Sequence, residues 1–81
     1  MMDPVTIKKL IENGLPDSTA YVEGDDGTHF QAVIVCDAFA GKNMVQQHQL
    51  VYKALGALMG KEIHALSMQT LTPQEWQAKQ M

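Results

Sequence analysis

The chain begins with a pattern of apolar positions that predicts an amphipathic helix. Three apolar residues share one helical face: Ile7, Leu10 and Ile11. Asp3-Pro4 precedes them, and Asp is a good N-terminal cap while Pro loses no hydrogen bond at the first helical position. We expect a helix over residues 4–13 that ends at Gly14 in a left-handed conformation, because Pro16 prevents its continuation.

Two stretches rich in β-branched and aromatic residues predict a hairpin. The first strand is expected over residues 18–23 and the second over residues 30–36. The segment between them, Gly24-Asp25-Asp26-Gly27, has the composition of a turn. Two strands joined by so short a connection should pair antiparallel.

A second helix is predicted after a loop over residues 37–42. Asn43 and Gln46 resemble a capping box, in which each side chain binds the backbone amide of the other residue. The apolar stripe of this helix consists of Met44, Val51, Leu55 and Leu58. The polar residues expected to point elsewhere are Gln46, Gln47, Gln49 and Lys53. We expect Gly60 to close the helix and Gly56 inside it to mark close packing against a neighbour.

The C-terminal part predicts one more strand and one more helix. The strand is expected over residues 63–69, and the helix before it favours a right-handed parallel crossover from the second strand. Thr72-Pro73-Gln74-Glu75 is a strong helix start, so a short helix should cover residues 73–79. The order α-β-β-α-β-α predicts a single α+β domain over residues 1–81, with a three-stranded mixed sheet and helices packed on one face.

Charge and composition narrow the possible functions. The net charge is −3 and all six basic residues are lysine, whereas phosphate recognition favours clustered Lys and Arg. The single cysteine, Cys36, excludes a disulfide within the chain and fits a reducing compartment. No leader pattern is evident, and no apolar stretch approaches the roughly 20 residues of a membrane helix. We therefore expect a cytoplasmic protein.

Two of the three histidines are candidate metal ligands. His64 lies in an apolar strand and His29 lies where the hairpin turn meets the second strand, and neutral imidazole is the commonest protein ligand for transition metals. The structural alternatives are a sheet-edge histidine bonded to backbone for His64 and an exposed turn residue for His29. Two histidines do not complete a zinc site. If both bind metal, a partner must supply the remaining ligands. His48, within the second helix, is expected to have a surface or packing role.

No other residues form a catalytic grouping, so we do not expect an enzyme. Ser67 has no nucleophile motif around it, and Glu75 is explained by capping. Lys42, Lys53 and Lys61 are interpreted as solvated charges, with weak nucleic-acid contact as the alternative. Three methionines are candidates for a protein-contact surface: Met44, Met59 and Met68.

Five short segments stand out by their order and spacing. They are GDDGTHF at 24–30, FAGK at 39–42, LVY at 50–52, IHALS at 63–67 and TPQEW at 72–76. Together they resemble the BolA-like family, and in particular its short acid-response branch. The resemblance covers almost the whole chain and implies a fold similar to class II KH domains.

The resemblance also implies a non-enzymatic adaptor. Family members pair with monothiol glutaredoxins of the Cys-Gly-Phe-Ser type, and the pair shares a bridging [2Fe-2S] cluster. The glutaredoxin supplies its active-site cysteine and a bound glutathione, while the BolA-like partner supplies nitrogen ligands. Imidazole in place of thiolate removes negative charge and raises the cluster potential, as in Rieske centres. Alone, the protein is expected to be a monomer or a weak homodimer.

The family's ligands can be carried over only in part. Its C-terminal histidine corresponds to His64. The second ligand comes from the loop between the first two strands, where His29 is the only histidine. Some relatives carry this ligand a few residues earlier, where the present chain has Asp25 and Asp26, so His29 is a candidate.

A nucleic-acid-binding transcriptional regulator is the alternative function. Some family members are described as DNA-binding, and many have Arg-His-Arg on the long helix, where this chain has Gln-His-Gln at 47–49. The loss of two cations removes phosphate contacts. The segment expected to contact a partner protein or nucleic acid comprises Gly41, Lys42 and Lys53 on and before the long helix, together with the end of the third strand.

Overall fold

The computed structural model describes residues 3–24, 29–61, 63 and 65–80, and its elements follow the predicted α-β-β-α-β-α order. The helices are α1 (Pro4–Gly14), α2 (Met44–Leu55) and α3 (Pro73–Gln80). The strands are β1 (Thr19–Glu23), β2 (His29–Val35) and β3 (Ala65–Leu71). Short 3₁₀ turns at Asp37–Phe39 and Gly56–Leu58 flank α2. The predicted α+β fold is confirmed.

The three strands form one mixed sheet in the order β1-β2-β3. β1 and β2 pair antiparallel, with Thr19 opposite Val35, as expected for a hairpin. β2 and β3 pair parallel, with His29 opposite Ala65, which confirms the crossover through α2. β2 is therefore the central strand, and it begins at the same end of the sheet as β3.

The hydrophobic core lies between one face of the sheet, the core face, and the helices α1 and α2. Its fully buried members come from both helices, the sheet and the connecting segments: Ile7, Ile11, Ala20, Ile34, Phe39, Val51 and Ile63. β2 alternates strongly, because Phe30, Ala32 and Ile34 are buried while His29 and Gln31 are exposed. Each fully buried large side chain contributes roughly 1.5–3 kcal/mol through the hydrophobic effect.

The predicted capping signals form as expected. Asp3 caps α1 by accepting a hydrogen bond from a backbone amide of the first turn. At α2, Asn43 Oδ1 accepts from the Gln46 amide at 2.9 Å and Gln46 Oε1 accepts from the Asn43 amide at 3.1 Å. At α3, Glu75 Oε1 accepts from the Thr72 amide at 2.8 Å, and Thr72 Oγ1 accepts from the Glu75 amide at 3.2 Å. These local signals fix where all three helices begin.

The prediction that helices pack on one face of the sheet holds for α1 and α2, whereas α3 contacts the other face. Ala20 points into the core, so the next residue, Tyr21, points to the opposite face of the sheet, which we call the second face. Trp76 of α3 stacks on the Tyr21 ring with the ring centroids 5.1 Å apart. α3 thus reaches the second face, where an aromatic pair replaces a layer of aliphatic residues.

Two glycines have roles opposite to those predicted. Gly14 remains helical, and a Cβ at this position would lie 2.6 Å from the Ala54 Cβ, so Gly14 is where α1 and α2 approach closely. Gly56 has a φ of 60° as the C-cap of α2, and a Cβ at this position would meet no atom of the described residues within 4 Å. α2 therefore ends at Leu55 rather than at Gly60. A sequence pattern does not distinguish a glycine needed for its backbone from one needed for its lack of a side chain.

The first turn of α2 also departs from the predicted stripe. Met44 was expected to face the core but is 68% exposed, because the helix begins beyond the edge of the core. Gln47 was expected to point away and is instead half-buried against β3. Its Nε2 donates to the carbonyl oxygens of Phe39 and Lys42 at 3.1 and 2.9 Å, and its Oε1 accepts from Thr70 Oγ1 at 2.5 Å. One amide thus joins the loop, the helix and β3.

Candidate functional site

His29 is the predicted ligand that the structure describes. It is the first residue of β2, its side chain is exposed, and its register partner is Ala65, the first residue of β3. His64, the other predicted ligand, lies outside the described residues, as do Asp25 and Asp26. Ala65 directly follows His64 in the sequence.

An open cleft of about 390 Å³ lies beside His29, where the last residue of β1 meets the first residues of β2 and β3. Its lining residues are Glu23, Gly24, His29, Phe30, Gln31, Ala65 and Ser67. The polar groups among them are a carboxylate, an imidazole, an amide and a hydroxyl. A second hollow of about 320 Å³ shares Glu23, Gln31 and Ser67 with the cleft and extends along the second face past Tyr21. The cleft and the second hollow therefore adjoin each other.

The backbone of His29 is held by close packing, although its side chain is exposed. Phe30, the next residue, is only 3% exposed and is anchored in the core. A Cβ on Gly24 would lie 2.5 Å from Phe30 Cδ1 and 2.9 Å from the His29 carbonyl oxygen. Glycine is therefore required where β1 ends against this part of β2. This contact makes Gly24 a positioning residue for the cleft, a role that the sequence pattern assigned only to a turn.

The described part of the chain contains no group of three or more His, Cys, Asp or Glu residues that could hold a metal ion. Cys36 is buried, and its Sγ lies 3.7 Å from the Pro16 carbonyl oxygen. His48 is half-buried on α2, and its buried Nε2 has no hydrogen-bond partner among the described residues. Both residues are thus in packing environments rather than in the cleft.

The residues predicted to contact a partner or nucleic acid are exposed but dispersed. Gly41 has a φ of 77°, a conformation that favours glycine, and it shapes the turn before α2. Lys42 is exposed at that turn, and Lys53 is exposed in the last turn of the helix. Most of the length of α2, roughly 14 Å from Met44 to Lys53, lies between them. The two lysines therefore do not form one cationic cluster.

A charged pair of α1 that contacts β1 was not singled out from the sequence. Lys8 Nζ lies 2.6 Å from Glu12 Oε2 and also donates to the Ala20 carbonyl oxygen at 2.9 Å, while Glu12 Oε2 accepts from the Ala20 amide at 2.9 Å. The hydrogen bond from Lys8, followed by that from Ala20, lowers the pKa of Glu12 below its ordinary value of 4.5. The i, i+4 spacing of opposite charges was the available sequence signal.

None of the described helices has the length and apolar character that crossing a membrane requires.

A family profile described as "BolA-like protein" matches residues 11–75. The acid stress protein IbaG of Escherichia coli is 36% identical over 76 residues, which cover 93% of this chain and 89% of that relative. A protein named DNA-binding transcriptional regulator BolA, from Vibrio cholerae, is 33% identical over 85 residues, which cover 95% of this chain and 80% of the relative. These similarities extend over nearly the entire sequence.

Similarity also extends to a much longer protein and to a solved structure. SufE-like protein 1 of Arabidopsis thaliana is 49% identical over 53 residues, and the match spans 64% of this chain but only 14% of that relative. The structure of a BolA homologue from Coxiella burnetii superimposes with a TM-score of 0.86 at 46% identity, covering 95% of this chain and 99% of the other. The fold predicted from the sequence is thus that of a known group of structures.

Proposed function

Because the chain belongs to the BolA-like family, we propose that it is a non-enzymatic adaptor that pairs with a monothiol glutaredoxin of the Cys-Gly-Phe-Ser type. The two proteins together would hold a bridging [2Fe-2S] cluster. This chain contributes imidazole nitrogens of His64 and His29, and the glutaredoxin contributes its cysteine and a bound glutathione. The pair serves iron–sulfur trafficking or the response to iron, redox or acid stress.

The parallel register of β2 and β3 is the observation that carries the proposal. His29 is opposite Ala65, which is one peptide bond from His64 in the chain. Adjacent strands lie roughly 4.8 Å apart, so the first residues of β2 and β3 belong to one small region of the sheet. This register supports His29 and the residue that precedes Ala65 in the sequence as joint ligands of one inorganic group.

The properties of His29 fit co-ligation with a partner. Its side chain is exposed at an open cleft, so a thiolate on another protein can approach the same iron. Neutral imidazole is a known nitrogen ligand of [2Fe-2S] centres, where it raises the reduction potential relative to thiolate. When bound, the cluster supplies a redox centre with visible absorption.

The test is reconstitution of the cluster on the mixed proteins. The chain, an apo monothiol glutaredoxin, glutathione, ferrous iron and sulfide are combined, and visible absorption and circular dichroism are recorded. We expect His64→Ala and His29→Ala each to change the spectrum of the mixed complex. Since a thiolate adds negative charge, His29→Cys should retain a cluster but lower its reduction potential.

His48→Ala is the matched control, because it removes the one remaining histidine, which lies on α2. It should leave the mixed-complex spectrum unchanged. Urea unfolding of every variant separates a lost ligand from a lost fold, and the exposed His29 should tolerate alanine within about 0.5 kcal/mol. An unchanged spectrum for His64→Ala would reject the ligand assignment. Absence of any complex with glutaredoxin would reject the adaptor function itself.

Nucleic-acid binding is the second candidate, favoured by the name of the Vibrio cholerae relative and by the exposed Lys42 and Lys53. The dispersed lysines and the net charge of −3 favour it less than the adaptor function. A salt titration with duplex DNA and single-stranded RNA distinguishes the two, because phosphate contacts give an affinity that falls steeply with salt. Lys42→Ala should then reduce the salt slope by about 1. No binding at low salt would exclude this candidate.

A further inference from the structure

The two edge strands of the sheet, β1 and β3, differ in whether their outward backbone groups are hydrogen-bonded. An outer strand presents unpaired amides and carbonyls, which are a template for another strand. On β1, the Ala20 amide is bound by Glu12 and the Ala20 carbonyl is bound by Lys8. Both side chains come from α1, so the chain closes this edge with its own ion pair. An incoming strand would have to displace two charged hydrogen bonds.

The outer edge of β3 has none of the features that discourage pairing. Its seven residues, Ala65–Leu71, include no charged residue, no proline and no glycine. Natural edge strands are commonly protected by lysine, proline, bulges or very short length. In the ranges that the structure describes, β3 is hydrogen-bonded to β2 and no further strand lies beyond it. Alternate backbone groups of β3 therefore face outward.

Side-chain burial also indicates that β3 is incompletely covered. Phe30, Ala32 and Ile34 of β2 are 3%, 5% and 0% exposed. Their register partners on β3, which point to the same core face, are all only half-buried: Leu66, Met68 and Thr70. Leu66 and Met68 pack against the core on one side and leave apolar surface on the other. A neighbouring strand would cover that surface.

We propose that the outer edge of β3 pairs antiparallel with β3 of a second copy of this chain, which joins two sheets into one of six strands. A two-fold axis perpendicular to the sheet reverses the strand direction and brings each outward amide towards an outward carbonyl. A segment that pairs with this edge has to be extended and uncharged, with apolar residues at alternate positions. β3 itself meets that description, since no like charges oppose each other when it pairs with its copy.

The same features favour a second copy of the chain over nucleic acid as the partner of this edge. A phosphate backbone requires cations along the groove, and β3 carries none. A contact limited to one seven-residue strand is small, so the dimer is expected to be weak and to form at high protein concentration. Two residues of this strand, Ala65 and Ser67, also line the cleft. Neither is a proposed cluster ligand, so self-association does not require the cluster.

Charge complementation tests the proposal directly. Ser67 and Gln69 are exposed and point to the second face, and they oppose each other between copies when the two-fold axis passes at Met68. Sedimentation velocity on the full chain up to about 1 mM should reveal a dimer with a dissociation constant between micromolar and millimolar. The Ser67→Lys/Gln69→Lys variant should associate at least about 10-fold more weakly, because like charges then oppose each other. Mixing it with Ser67→Glu/Gln69→Glu should restore association.

The control variant Gln74→Lys/Gln77→Lys adds the same charge at exposed positions of α3 and should associate like the unmodified chain. Amide hydrogen exchange should show protection that increases with protein concentration in β3 and not in β1. A chain that stays monomeric up to about 1 mM would overturn the proposal. So would equal weakening by the α3 control, or a charged mixture that fails to associate.

Discussion

The two faces of the sheet have different composition and different consequences for substitution. On the core face, aliphatic residues pack together with Phe30 and Phe39 beneath α1 and α2. No polar side chain is buried there among the described residues. The second face exposes polar residues of all three strands, and Trp76 on Tyr21 is its aromatic contact with α3. The difference indicates that most of the stability comes from packing on the core face, while the second face and the adjoining cleft remain available for binding.

The largest effect should come from the core face. Phe39 is fully buried, and the 3₁₀ turn after β2 delivers it into the core. Phe39→Ala should reduce the free energy of unfolding by about 3–5 kcal/mol, because it removes a large apolar group and leaves a cavity. Urea denaturation followed by far-ultraviolet circular dichroism measures this loss. A loss below about 1 kcal/mol would mean that Phe39 is not an anchor of the core.

Filling the contact between α1 and α2 should have the next largest effect. Gly14→Val adds atoms where even a Cβ would lie 2.6 Å from the Ala54 Cβ, so the helices must separate. We expect a loss of about 1–3 kcal/mol by urea denaturation. Asn13→Val is the control, because it places the same side chain at the adjacent exposed position of α1. Equal losses in the two variants would show that the close contact between α1 and α2 is not the cause.

The aromatic contact on the second face should matter less. Trp76 is half-buried and Tyr21 is 47% exposed, so Trp76→Ala should cost about 1–2 kcal/mol from the stacked pair and the area it covers. Trp76→Phe should recover part of the loss because a ring can still stack. If Trp76→Ala proved as damaging as Phe39→Ala, the two faces would not differ in the way described.

The smallest effect should appear as a dependence on pH at the boundary of the core face. The pKa of Glu12 is lowered by the hydrogen bond from Lys8 and then by that from Ala20. The resulting stability is present above the unfolded value of about 4.5 and is lost as pH falls through the lower folded value. Glu12 is partly exposed, so the contribution is at most about 1 kcal/mol. Thermal unfolding between pH 3 and pH 7 should show a flatter profile for Glu12→Gln than for the exposed control Glu23→Gln.

The sequence was sufficient for the elements whose signals are local. Asp3, Asn43 and Thr72 each predicted a helix start that the structure confirms, and the β-branched residues of β2 predicted a strand. Predictions that depended on distant contacts were less successful. Gly14 and Gly56 exchanged roles, and Gln47 turned inward, because an adjacent helix and β3 decide what those residues contact.

The candidate site was likewise predicted only in part from the sequence. Histidine chemistry and a family resemblance pointed to His29 and His64, but neither predicts which strand residues are adjacent. The register of β2 with β3 supplied that information for His29 and Ala65. The role of Gly24 against Phe30 was also out of reach, since it depends on a backbone approach between two strands.

His29 occupies the first position of the central strand, directly before a phenylalanine locked in the core. A protein that docks on this imidazole therefore meets a residue whose main chain is already restrained. The entropy lost on association should be correspondingly small, which favours rigid-body docking with little change in β2 between the free and the bound protein.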